Sequence, residues 1–153
     1  MLLRLSFFTL LCAWSVVVTA ANSVETRYGR VDAVSTTEEI DKFVLSYKGT
    51  KLAVLEGMDI NIYRVTPKGP TEYLIIEKVV AGMHCHNEYS ILEISPAGTT
   101  ALSKTFGECS EFQGATYLVD GALIELNKAY VEGKKKQNTE RYKWSKGTLT
   151  KQP

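Results

Sequence analysis

The sequence is short of the residues that carry most enzyme chemistry. Of 153 residues, two are histidine and three are cysteine. Both histidines, His84 and His86, sit almost together, so any Ser-His-acid arrangement must use one of them. No nucleophile-elbow pattern surrounds Ser90, Ser95 or Ser110, and no glycine-rich phosphate loop occurs. Acidic residues are plentiful, but no spacing singles out a carboxylate pair for glycoside hydrolysis. No catalytic residue is therefore expected. A surplus of charge is missing too, with 18 basic against 17 acidic residues. Binding nucleic acid needs a basic excess to neutralise phosphates, so nucleic acid is not the expected partner. No Asn is followed two places on by Ser or Thr, which favours a bacterial periplasm over a eukaryotic exterior.

Long apolar runs are also scarce, and the one present lies at the start. Arg4 precedes the run Leu5 to Val18, broken only by Ser and Thr, and Val18 and Ala20 have the spacing a signal peptidase requires. The run is short for a bilayer span, which takes ~20 apolar residues. Residues 1–20 are expected to be a secretory signal peptide and 21–153 a single β domain with no transmembrane segment, in the periplasm. Removing the signal removes Arg4 and leaves 17 basic and 17 acidic residues. It also removes Cys12 and leaves one pair, Cys85 and Cys109.

What remains reads as strands and turns. Asn22 to Arg30 is polar and expected to be loose at its start. Arg30 to Val34 reads as a first strand, and Thr36 to Glu39 has capping-box spacing for one helical turn. Five hairpins follow, with turns at Lys48-Gly49, Pro67 to Pro70, Pro96 to Gly98, Asp120-Gly121 and Ser145 to Gly147. Asp120-Gly121 carries the type I′ signal. Ile60, Ile62 and Arg64 share one face, and Asn61, Tyr63 and Val65 the other; Leu74 and Ile76 likewise oppose Tyr73, Ile75 and Glu77. Strands apolar on both faces lie between two layers, whereas Tyr142 and Trp144 against Arg141 and Lys143 mark an outer strand. The expected fold is all-β, an antiparallel meander of about ten strands closing as a sandwich or a barrel.

A three-residue loop at Pro96 to Gly98 sets Ser95 opposite Thr99. Without a bulge, that register carries Cys85 opposite Cys109, His86 opposite Glu108 and His84 opposite Ser110. Opposed Cα atoms lie ~4.5–5.5 Å apart, compatible with a disulfide. Such a disulfide would be worth ~3.5 kcal/mol for a loop of about 25 residues. Gly82 and Gly107 are the positions where a bulge would shift the register. The competing readings of the cysteines are free thiols, or metal-bound thiolates with His84 and His86. Those two imidazoles share a strand face and suit copper or zinc, with Met83, Glu88 or Glu108 as helpers. Lys134 to Lys136 read as a solvated loop tip. Among the aromatics, Phe112 and Tyr130 are the residues expected at the surface as binding anchors.

Ala81-Gly82-Met83-His84-Cys85, then Phe106-Gly107-Glu108-Cys109-Ser110, then Tyr142-Lys143-Trp144-Ser145-Lys146-Gly147 form a pattern over residues 73–151. It resembles that of small exported proteins of Gram-negative bacteria. The resemblance implies a disulfide-bearing periplasmic β domain but no activity or substrate, and His84 and His86 are not part of it. The leading expectation is a non-enzymatic periplasmic binding protein without a cofactor, such as an immunity or inhibitor protein with a protein partner. The alternatives are a metal-binding or redox-linked protein built on Met83 to His86, and an envelope structural or assembly factor.

Overall fold

The computed structural model describes residues 22–37, 39, 41–80, 87–128 and 138–153. Among them there is no helix, and so none long and apolar enough to cross a membrane. Within the described residues twelve strands form three antiparallel sheets of four, each a simple meander in chain order. The first sheet holds β1 (Ser23–Thr26), β2 (Gly29–Ser35), β3 (Lys42–Tyr47) and β4 (Thr50–Glu56). The second holds β5 (Asp59–Arg64), β6 (Glu72–Val79), β7 (Asn87–Ile94) and β8 (Thr100–Leu102). The third holds β9 (Ser110–Leu118), β10 (Gly121–Lys128), β11 (Thr139–Ser145) and β12 (Thr148–Gln152).

The second sheet is the middle layer of three. Its even-numbered apolar side chains, among them Ile60, Ile62, Leu74, Ile76, Leu92 and Ile94, pack with Val31, Phe43, Leu45 and Leu55 of the first sheet. Its odd-numbered side chains, Tyr73, Ile75, Tyr89 and Ile91, pack with Ala122, Ile124, Leu126, Tyr142 and Trp144 of the third. The alternation in β5 and β6 therefore means what the sequence suggests, and β6 is buried from Glu72 to Glu77. The closure is a layered sandwich: among the described residues no sheet returns to its own first strand, so the barrel alternative is set aside. In β11, Tyr142 and Trp144 are buried while Arg141 is exposed, the one-sided pattern of an outer strand.

Four local expectations are corrected. The segment Asn22 to Arg30 is not loose at its start, because β1 pairs with β2 from Ser23↔Asp32 to Thr26↔Gly29. Long-range bonds anchor the following turn: Arg27 N–H and Arg27 Nε each lie 3.1 Å from Glu72 Oε1, and Tyr28 Oη donates to the Pro70 carbonyl. Thr36 Oγ1 does accept from Glu39 N at 3.3 Å, yet the chain turns into β3 instead of a helix. The second strand of the Pro96 to Gly98 hairpin, which the sequence reads as Thr99 to Phe106, is only β8, with Phe106 returning as an isolated bridge to Tyr89.

The fourth correction concerns Asp120-Gly121. Leu118 pairs with Gly121, so the two-residue turn is Val119-Asp120, and neither residue adopts a positive φ. The type I′ geometry instead occurs at Lys48-Gly49 (φ 50° and 75°) and Lys146-Gly147 (φ 51° and 75°). Gly121 serves a different need, since a Cβ there would strike the Trp144 carbonyl on the neighbouring strand. Gly121→Ala should cost about 1–3 kcal/mol by forcing β10 and β11 apart. A urea denaturation midpoint equal to that of the parent would contradict this.

Candidate functional site

Strand ends from the middle and third sheets gather at one end of the sandwich. Val79 pairs with Asn87, Lys128 with Ser110, Asn127 with Thr139 and Arg141 with Gln152. Lys128 N–H donates to Asn138 O at 3.2 Å, and Cys109 N–H to Asn87 O at 3.2 Å. Gly107 (φ 68°) and Cys109 (φ 59°) are both left-handed, and this double reversal steers the chain from Phe106 into β9. A Cβ on Gly107 would run into the Leu126 side chain, so this position requires glycine for both reasons.

A surface groove of about 380 Å³ opens there, lined by Phe106 to Cys109, Lys128, Glu140, Tyr142 and Lys151. Glu140 is its electrostatic centre. Its side chain is 12% exposed, with Lys151 Nζ at 2.6 Å and Lys128 Nζ at 3.9 Å. Tyr142 Oη donates to the same carboxylate at 2.9 Å. Burial pushes the Glu140 carboxyl up, but hydrogen bonds from Lys151 and Tyr142 and the two lysine charges outweigh it and hold the group below its usual value. Glu140 therefore stays ionised at neutral pH and acts as an anchor for two lysines, not as a general acid.

Behind this groove lies a second carboxylate, Glu77, which is 6% exposed. Its partners are neutral. Asn61 Nδ2 donates to Oε2 at 2.9 Å and Tyr63 Oη at 2.6 Å, and Tyr89 Oη lies 3.0 Å from Oε1. Tyr89 Oη also reaches Ser110 O at 2.8 Å, tying the middle sheet to the first residue of β9. Burial first, then Glu77, raises the phenols of Tyr63 and Tyr89 well above their ordinary value. Burial also pushes Tyr73 up to about 12, helped by Glu93.

An unfolded phenol ionises near pH ~10. The native state holds its protons more tightly, so this contribution is intact below that pH and is lost as pH rises through the folded value. Stability should therefore fall between about pH 10 and 12, with tyrosinate absorbance and loss of near-UV circular dichroism appearing together. Tyrosinate forming well before the fold is lost would contradict this.

The expected site residues divide into two groups. Cys85, His84, His86 and Tyr130 lie outside the described residues, as do Met83 and Lys134 to Lys136. Among the described residues, no three His, Cys, Asp or Glu side chains are grouped to hold a metal ion. Phe112, expected as an exposed anchor, is half-buried: its ring stacks on Tyr63 at 4.7 Å and 23°, within the second core.

The cysteine register also differs from the bulge-free one. The hairpin begins as expected, with Ser95 N–H bonded to Thr99 O and Leu92 opposite Leu102. By Tyr89↔Phe106 it has slipped one place, and by Asn87 and Cys109 another. The bulge-free register is therefore not kept as far as Cys109, whose N–H bonds to Asn87 O; Cys85, its expected partner, lies outside the described residues.

Lys128, Glu140, Lys151 and Glu77 were not singled out from sequence. The available signal was parity. Glu140 shares its strand face with Tyr142 and Trp144, and Glu77 with Tyr73 and Ile75; a carboxylate on a buried face must find partners. Comparison with protein-family models, curated proteins and solved structures finds no match to this chain.

Proposed function

We propose that the protein is an exported, non-enzymatic binding protein of the periplasm, an immunity or inhibitor protein that blocks a toxic secreted enzyme. The groove beside Cys109 is its recognition surface. The observation that carries this reading is the anchored charge set Lys128–Glu140–Lys151, presented where six strand ends meet on a rigid triple sheet. Side chains already held in place lose little entropy on binding, so such a surface converts contact into affinity efficiently. The lysines suit an acidic patch on the partner and would speed its capture.

The Cys85–Cys109 disulfide belongs to the same proposal, because it would staple the groove's floor to the start of β7. Export favours its formation. The oxidised protein should resist alkylation until reduced; labelling of Cys85 and Cys109 without reduction would remove the staple from the proposal.

The functional test is protection. Expressed with residues 1–20 in a Gram-negative host, the protein should protect against the toxic periplasmic enzyme encoded beside its gene and co-purify with it. A folded Lys128→Glu/Lys151→Glu variant should lose both properties. A parent protein that neither protects nor co-purifies refutes the reading.

A further inference from the structure

A second surface, further along the same seam between the middle and third sheets, has the features of a strand acceptor. β8 is the outer strand of the middle sheet and only three residues long, beside the eight residues of β7. In this hairpin the bonded pairs are Ser95 with Thr99 and Ile91 with Ser103, where Ser103 N–H donates to Ile91 O at 2.9 Å. Antiparallel ladders alternate bonded and non-bonded pairs. Thr100, opposite Ile94, and Leu102, opposite Leu92, are therefore non-bonded positions. Their backbone N–H and C=O groups point away from β7.

A cleft of about 560 Å³ lies along this edge, lined by Leu102 to Lys104, Trp144 and the residues from Gly147 to Leu149. Its far side is β12, the edge strand of the third sheet. Trp144 Nε1 donates to Glu93 Oε2 at 2.5 Å, so the indole bridges the two layers beneath the cleft. Among the described residues, the apolar lining comes from Leu102, Trp144 and Leu149, and the charged lining residue is Lys104.

The other edges of the middle and third sheets, β5, β9 and β12, carry devices that discourage strand addition. β5 caps its own Ile60 N–H with Asp59 Oδ1 at 2.8 Å, and the β9–β10 ladder is broken by a bulge near Gln113. The exposed Lys151 lies on β12. Bulges, self-capping and charge are how natural sheets blunt their edges. β8 is short, and Lys104 and a register slip follow it, but within Thr100–Leu102 the outward backbone groups are neither self-capped nor bulged, and they adjoin an apolar cleft.

We propose that the β8 edge accepts an extended segment of a protein partner as a fifth strand of the middle sheet. The segment takes backbone hydrogen bonds from Thr100 and Leu102, seats an apolar side chain against Leu102, Trp144 and Leu149, and sets an acidic side chain on Lys104. Strand addition of this kind draws affinity from the backbone and specificity from alternate side chains. At ~3.3 Å per residue, about five residues of the segment span Thr100 to Lys104. This surface is separate from the groove beside Cys109, and its occupancy does not depend on the protection activity.

The test uses the full mature chain and a capped peptide, Glu-Val-Thr-Val-Thr-Val-Glu, followed by amide NMR. Saturable shifts are expected at Thr100, Leu102, Lys104 and Leu149, with slowed hydrogen exchange at the Thr100 and Leu102 amides. The same peptide with a central proline should not bind. Thr100→Pro removes an outward N–H that makes no ladder bond, and should weaken binding about tenfold. Lys104→Glu, which leaves the backbone untouched, should weaken it as well. Equal binding by both variants, or shifts mapping to the Cys109 groove, would overturn the proposal. Concentration-dependent shifts at Thr100 and Leu102 without peptide would overturn it in favour of a second copy of the chain.

Discussion

Replacing Glu77 with alanine is expected to cost about 2–4 kcal/mol, from the groups it leaves unpaired and the space it vacates. Three donors converge on this one buried carboxylate: Asn61 Nδ2, Tyr63 Oη and Tyr89 Oη. Tyr89 is fully buried and keeps one alternative acceptor in Ser110 O. Tyr63 and Asn61 are half-buried and recover part of their loss through water, which is why the estimate stays below the sum of three lost bonds. Glu77→Gln retains an acceptor oxygen and the shape, and should cost clearly less than the alanine variant. Urea denaturation of both variants decides the matter. A change below about 0.5 kcal/mol for Glu77→Ala, the scale of an ordinary surface substitution, would mean that the network contributes nothing to stability.

The second large effect comes from the adjacent pair Ile75 and Ile76. Both are completely buried, yet they belong to different cores, Ile75 toward the third sheet and Ile76 toward the first. Truncating either to alanine should cost about 2–5 kcal/mol, from lost burial and the cavity left behind. Together they would consume much of a domain's usual stability of about 5–15 kcal/mol. The informative form of the experiment is gentler. Ile75→Val and Ile76→Val should each cost about 0.5–1.5 kcal/mol. Their double variant should be additive within about 0.5 kcal/mol, because the two cavities share no neighbours across the sheet. Strong coupling between neighbours so close in sequence would contradict a middle layer with two separate cores.

That middle layer was legible in the chain itself. Ile60, Ile62, Leu74 and Ile76 on one parity and Tyr63, Tyr73 and Ile75 on the other cannot be satisfied by a sheet with one wet face. The hairpins were legible because their partners are close in sequence and their turns carry glycine where a left-handed residue is needed, as at Gly49 and Gly147. Gly121 shows the limit of that logic. Asp-Gly resembles a turn signal, but here the glycine answers to the Trp144 carbonyl of a neighbouring strand. β1 was not legible, since Ser23 to Thr26 holds one apolar residue and its following turn is held through Arg27 to Glu72, 45 residues away.

The candidate site was legible only at Cys109. Gly107 was legible as a place where a bulge would shift the register, but not the two-step slip, because a bulge costs little locally and its position depends on how Tyr89 and Leu126 pack around Gly107. Lys128, Glu140 and Lys151 come from three strands, and local spacing does not encode their meeting. The sequence by itself determined the secondary-structure class, the meander and the two-faced burial of β5 and β6, all consequences of period-two alternation and short turns. Only the tertiary structure decided the stacking of three sheets, the register at Cys109 and the charge set in the groove. Those rest on contacts such as Trp144 to Glu93, 51 residues apart, whose energies depend on layers packing face to face and not on any neighbour in the chain.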